Sequence, residues 1–186
     1  MSANAESANG SAYVSLLGDT LQSKEGTVNT SEILKDKYVA LYFSAHWCPP
    51  CRGFTPKLAE WYTKSLKEKG LEVVFVSSDK DEKSFSEYFA EQPWLALPFS
   101  DRTKKAELSK QFKVQGIPTL VILNKDGTVI TTKGRAAVTE DQTGENLPWF
   151  PPTFDEAIGN DFVKSDGSKV TKDSLKGKFL GIYFCK

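Results

Sequence analysis

A mixed α/β sheet flanked by helices is the fold class this sequence predicts, on three observations. Tyr38-Val39-Ala40-Leu41-Tyr42-Phe43 and Val73-Val74-Phe75-Val76 are unbroken apolar runs, the pattern of strands buried on both faces. Between them Phe54, Leu58, Trp61, Tyr62 and Leu66 recur at helical spacing, which gives a β-α-β order. Farther on, Thr119 to Leu123, an Asn124-Lys125-Asp126-Gly127 turn and Thr128 to Thr131 read as an antiparallel hairpin. Crossover strands followed by a hairpin require a sheet that is part parallel and part antiparallel.

Taken in order, Met1 to Ala12 is rich in Ser, Ala, Asn and Gly and is expected to be disordered; it carries neither the basic nor the apolar region of a secretory signal. The folded domain is expected over residues 13–150. Leu21-Gln22, the turn Lys24-Glu25-Gly26 and Thr27-Val28 suggest a small hairpin, and Thr30 is the expected N-cap of a short helix through Leu34. The helix after the first buried strand should end near Gly70. Behind the acidic start Asp79 to Glu82, the residues Phe85, Tyr88 and Phe89 mark a second helical face. Pro93 and Pro98 bracket Trp94 to Leu97 as a connection, and Lys104 to Phe112 reads as a third helix.

The 186 residues, 39% of them hydrophobic and 12% aromatic, suffice for one well-buried core and the beginning of a second. Lys and Arg (24) balance Asp and Glu (24), so no global positive field gathers phosphate backbones or anionic lipid. Nucleic acid and membranes are therefore not expected partners. No apolar run approaches the roughly 20 residues that span a bilayer. Three cysteines, only two of them close together, make no disulfide framework and suit a reducing compartment. The expected location is the cytosol, with the nucleus sharing it.

Cys48-Pro49-Pro50-Cys51 falls at a strand-to-helix junction, and that context gives the pair its chemistry. At a helix start, unsatisfied N–H groups and the helix dipole favour a thiolate. Lowering a thiol pKa from about 8.5 to about 7 raises the thiolate fraction at neutral pH from about 3% to about half. Cys48 is thus the expected nucleophile, and Cys51, one turn later, the thiol that resolves the mixed disulfide. Pro49 and Pro50 occupy the first turn, where their missing N–H groups would have been orphans, and stiffen the loop. Arg52 is either a source of positive potential or a solvated surface residue. Trp47 reads as an exposed apolar platform for substrate, and His46 as an exposed loop residue. Half of a zinc site is the bland alternative for CxxC, but no further ligands accompany it: His46 is the single histidine and Cys185 stands alone near the end. No metal and no cofactor are expected, since no Gly-rich dinucleotide motif is present either.

The segment from Tyr42 through Arg52 resembles the active site of the nucleoredoxin and tryparedoxin branch of the thioredoxin superfamily. The resemblance continues through Val76-Ser77-Ser78-Asp79, Pro93 to Phe99, Gly116-Ile117-Pro118-Thr119 and Pro148-Trp149. It implies a thioredoxin fold in which Ile117-Pro118 is a cis peptide facing the cysteine pair, with Trp47, Ile117 and Pro118 framing a substrate groove. The sequence departs from bacterial-type thioredoxin at the position six before the nucleophile, where a buried acid normally sits: here that residue is Tyr42, which leaves the proton acceptor for Cys51 unassigned. The expected function is reduction of protein disulfides, with electrons drawn from a reductase or a small dithiol. The alternative is a redox-regulated binding protein that sequesters signalling partners, and a redox-silent thioredoxin domain is a third reading. Finally, residues 151–186 are expected to be a linker and the truncated start of a second such domain. Laying Gly18 on Gly159 also superposes Gly26 on Gly167, Leu34 on Leu175 and Tyr42 on Tyr183, which predicts a hairpin, a polar helix and a buried strand over Phe179 to Phe184.

Overall fold

The computed structural model describes residues 8–183 and divides them between two compact units, up to Phe150 and from Pro151. The first holds a seven-stranded sheet. In chain order its elements are α1 (Ala8–Leu17), β1 (Thr20–Gln22), β2 (Thr27–Asn29), α2 (Thr30–Ile33), β3 (Tyr38–Ser44), α3 (Pro49–Trp61), β4 (Leu71–Ser77), α4 (Glu82–Ala90), β5 (Leu95–Ala96), α5 (Arg102–Gln111), β6 (Thr119–Leu123), β7 (Val129–Thr131) and α6 (Gly134–Glu140). The strand order is β2-β1-β5-β4-β3-β6-β7. β3 pairs parallel to β4, Tyr38 opposite Leu71 through Ser44 opposite Ser77, and antiparallel to β6, Val39 opposite Leu123 through Phe43 opposite Thr119. The mixed sheet expected from the sequence is therefore the observed one.

The apolar runs sort onto two faces with the strand period of two. Ala40, Tyr42, Val73, Phe75, Leu120 and Ile122 point to one side, where Phe54 and Leu58 of α3, Phe85 and Tyr88 of α4, and Val138 of α6 cover them. Val39, Leu41, Phe43, Val74, Val76 and Val121 point to the other, against Tyr13 and Leu17 of α1 and Leu108 of α5. The first face is a web of rings: Phe75 lies stacked on Phe85 at 5.7 Å and edge-on to Tyr88 at 5.6 Å. Such pairs add about 0.5–1.5 kcal/mol each beyond the area they bury.

Several local expectations need correction. The chain is helical from Ala8, so residues 8–12 are not the disordered lead expected there, and residues 1–7 lie outside the described residues; Tyr13 anchors this helix by donating its hydroxyl to the carbonyls of Lys37 (3.0 Å) and Asn124 (2.6 Å). Asn29, rather than Thr30, is the N-cap of α2, its side chain accepting from the N–H groups of Ser31 and Glu32, while Thr30 is already helical and buried. Trp94 to Leu97 is more than a connection, since Leu95 and Ala96 form β5 and join β4 to the β1–β2 hairpin. α3 stops at Trp61 and continues as a wider π-helical turn over Tyr62–Leu66 before Gly70 closes it at φ 88°. α6 had no sequence-level forecast.

The second unit contains α7 (Phe154–Ala157), a β8 (Asp161–Val163) and β9 (Lys169–Thr171) hairpin, and a 3₁₀ turn at Lys172–Leu175. Thr153 and Glu156 close a capping box at the start of α7. The spacing of backbone turns repeats that of the first unit: Gly18, Gly26 and Asp36 there, Gly159, Gly167 and Gly177 here, all have positive φ. The predicted polar helix is a 3₁₀ turn, and no strand forms over the described part of Phe179 to Phe184. Phe179 and Tyr183 are exposed, and neither is paired with β8 or β9 among the described residues. Phe184 and Cys185 lie outside the described residues.

Three buried tyrosines give the fold an alkaline limit. Burial holds the ionisation of Tyr13, Tyr42 and Tyr62 well above the ordinary tyrosine value; the charges of Asp126 and Glu72 add to this at Tyr13 and Tyr62 respectively. Above about pH 10 the unfolded chain loses these protons while the folded chain keeps them, so the stability each provides is present below that pH and lost above it. Each tyrosine contributes a slope of up to about 1.4 kcal/mol per pH unit. Urea unfolding at a series of pH values should show a steep fall beginning near pH 10; a flat profile would contradict this account.

Candidate functional site

β3 ends at Ser44, and four residues later Cys48 takes extended backbone angles (φ −91°, ψ 107°) as the N-cap of α3. Pro49 and Pro50 follow at the first two helical positions, so neither removes a hydrogen bond the helix would make. Cys48 and Cys51 are joined in a disulfide with their Cα atoms 5.2 Å apart. The N–H of Cys51 donates to Cys48 Sγ at 3.3 Å, the usual capping bond with sulfur in place of oxygen. Cys51 is wholly buried and Cys48 nearly so, packed with Ala45 and Ile117. Placed thus, Cys48 Sγ receives both the helix dipole and a direct N–H donor, the two features that favour a thiolate once the disulfide opens.

Across from the cysteines the Ile117–Pro118 peptide is cis, as the family resemblance implied, and the carbonyl oxygen of Ile117 lies 3.7 Å from Cys48 Sγ. Trp47 is 56% exposed beside the pair, with its indole N–H donated to the carbonyl of Ser78 at 3.1 Å. The residues assigned to the groove, Trp47, Ile117 and Pro118, therefore stand on loops around the disulfide. Arg52, Pro49 and Pro50 are exposed on the first turns of α3. His46 departs from expectation: it is half-buried, with its ring stacked on Tyr88 at 5.4 Å.

Two features were not read from the sequence. Arg135 donates to the carbonyl of Pro118 at 3.0 Å and lies over the Phe54 ring at 5.2 Å, in a cleft of about 520 Å³ lined also by Lys113, Ile117 and Thr132. It reaches there because Gly134 lets α6 press on β6; a Cβ at Gly134 would sit 2.7 Å from the carbonyl oxygen of Leu120. A Gly-Arg pair after the last strand is the only signal the sequence offers. The second feature lies beneath the helix, at Tyr42, where the sequence departs from bacterial-type thioredoxin. The Tyr42 hydroxyl meets Thr55 Oγ1 at 2.8 Å, Thr55 meets the Tyr88 hydroxyl, and Tyr88 meets Ser44 Oγ at 3.1 Å. All four side chains are buried, so the floor of the site is a neutral hydroxyl chain.

The thioredoxin-like family model matches residues 36–129. Tryparedoxin of Trypanosoma brucei brucei is 51% identical over 130 residues, which cover 69% of this chain and 90% of that protein. Nucleoredoxin of Bos taurus is 44% identical over 155 residues, 82% of this chain but 35% of that protein, so the chain spans about a third of the nucleoredoxin's length. Among solved structures, tryparedoxin from Trypanosoma brucei matches with a TM-score of 0.72 and 46% identity over 75% of this chain and 99% of that one. The chain belongs to the thioredoxin-like family, in its nucleoredoxin and tryparedoxin branch.

Proposed function

We propose that this thioredoxin-like oxidoreductase reduces protein disulfides through Cys48 and Cys51. The observation that carries the reading is Cys48 at the N-cap of α3 with the Cys51 N–H on its sulfur. In the reduced protein the Cys48 thiolate attacks one sulfur of a substrate disulfide. A Cys48–substrate bond forms, the substrate S–S bond breaks, and the departing thiolate takes a proton from solvent. Cys51, on losing its proton, attacks Cys48 Sγ; the Cys48–Cys51 bond forms and the second substrate thiolate leaves. Two electrons have then passed to the substrate, and a reductase or a small dithiol returns them to the pair. Trp47 supplies an apolar rest for the substrate chain, and the edge at Ile117 and Pro118 supplies backbone groups to pair with it.

No helix among the described residues is long and apolar enough to cross a membrane. The reading places the protein in the cytosol or nucleus, where donors of this kind are kept reduced. Residues 151–186 are read as the opening of a second thioredoxin-like repeat, on the strength of the matched positive-φ turns and the matched hairpin.

Cys51→Ser should trap substrates from an extract as stable mixed disulfides on Cys48, while wild type reduces insulin disulfides and Cys48→Ser does not. No trapped species, with insulin reduction unaffected by Cys48→Ser, would refute the assignment. If the double serine variant still holds a partner, the binding-protein alternative takes precedence. Limited proteolysis tests the division of the chain: cleavage between Pro151 and Lys164 should leave an active core, whereas loss of activity on removing the tail would make it part of the first domain.

A further inference from the structure

Asp79 is a buried carboxylate, 1% exposed, to which the disulfide-exchange cycle assigns no role. Burying a carboxylate is costly unless its oxygens are hydrogen-bonded, and both of these are. Oδ1 accepts from the backbone N–H of His46 at 2.8 Å, and Oδ2 accepts from Ser77 Oγ at 2.8 Å. The same serine oxygen accepts from the Asp79 N–H at 2.8 Å, which closes a small ring and fixes the carboxylate's direction. Capping of α4 does not account for it, because Asp81 is the N-cap of that helix and accepts from the Ser84 N–H. The carboxylate turns away from its own helix and toward the loop two residues before Cys48.

Its neighbours extend the hold on that loop. The carbonyl of Ser78 takes the Trp47 indole N–H, so His46 and Trp47 are gripped by consecutive residues of the β4–α4 connection. That connection is braced from behind by Arg102 of α5, which donates to the carbonyls of Ser77 and Asp79, each at 3.3 Å, and stacks over Phe99 at 4.7 Å. The His46 ring is fixed on Tyr88 from the other side. The loop residue Ala45 then accepts the Cys48 N–H at 3.2 Å, which continues the chain of contacts to the sulfur's own residue.

We propose that Asp79 is the positioning residue of the nucleophile: by holding the His46 N–H it fixes the loop that sets Cys48 Sγ against the Cys51 N–H. This rests on the reading of Cys48 as the attacking thiol. A loop released at His46 lets Cys48 turn away from its N–H donor, so its thiolate is less favoured and its reactivity at neutral pH falls. Asparagine keeps an oxygen for His46, with its NH₂ facing the serine oxygen; alanine keeps nothing.

The test is the rate of Cys48 alkylation in the reduced full chain as a function of pH, with disulfide reduction measured separately. Asp79→Ala should slow alkylation near neutral pH about tenfold, equivalent to about one pKa unit, and move the midpoint of the pH profile upward. Asp79→Asn should react no more than about twofold slower than wild type. Ser77→Ala, which frees Oδ2 and the Asp79 N–H but leaves Oδ1 on His46, should slow the reaction about threefold and serves if the alanine variant fails to fold. Wild-type rates in folded Asp79→Ala, an asparagine variant as slow as alanine, or an unchanged rate in Ser77→Ala would each overturn the proposal. Normal Cys48 alkylation in wild type without reduction of any protein disulfide would instead count against the reductase reading and leave this one standing.

Discussion

β3 is hydrogen-bonded along both edges and covered on both faces, and the point where that pairing ends decides where the sulfur of Cys48 lies. A strand so fully determined has no freedom to slip, because a shift by one residue would send Tyr42 and Ala40 to the face built for Leu41 and Phe43. Ser44 is the last paired residue on the β4 side, and the chain needs only three more residues to reach the helix start. The helix then offers its unsatisfied N–H groups to whatever side chain stands at its N-cap. Here that side chain is a thiol, and the chemistry follows from its position.

The pair packs against Ala45 and Ile117 and stands over a chain of hydroxyls. Tyr42, Thr55, Tyr88 and Ser44 provide a buried hydroxyl floor, in which burial pushes the Tyr42 ionisation upward. Tyr42 stands in that floor where the sequence departs from bacterial-type thioredoxin, and Asp79 enters from the loop side through the backbone of His46. The helix start, the hydroxyl chain and the Asp79 bracket all rest on elements that the sheet holds rigid. A site whose geometry must be kept within fractions of an ångström is placed where the scaffold moves least.

The sheet was legible because its strands are buried on both sides and read as continuous apolar runs; Tyr38 to Phe43 admitted no other period. Cys48 and Cys51 were legible because CxxC at a strand-to-helix junction carries one dominant chemistry. β5 escaped because two residues between prolines give no periodicity to count, and their pairing is decided by β4 and the hairpin beside them. His46 and Asp79 escaped for a related reason: the stack on Tyr88 and the bond to the His46 N–H join residues more than 30 positions apart, which only the folded register brings together. The buried strand forecast for Phe179 onward does not appear among the described residues, where Phe179 and Tyr183 are exposed; an apolar run becomes a strand only where it pairs with a neighbour, and composition alone does not decide that.

The claim at the centre of this account is that Cys48–Cys51 is a working redox couple. Equilibration in glutathione buffers of graded potential, with free thiols counted by mass after rapid alkylation, tests it directly. The account predicts one two-electron transition, tenfold in equilibrium constant per about 30 mV, with its midpoint on the reducing side of about −180 mV. A disulfide that stays closed through the most reducing buffer, or a midpoint near the strongly oxidising value of about −120 mV, would contradict it.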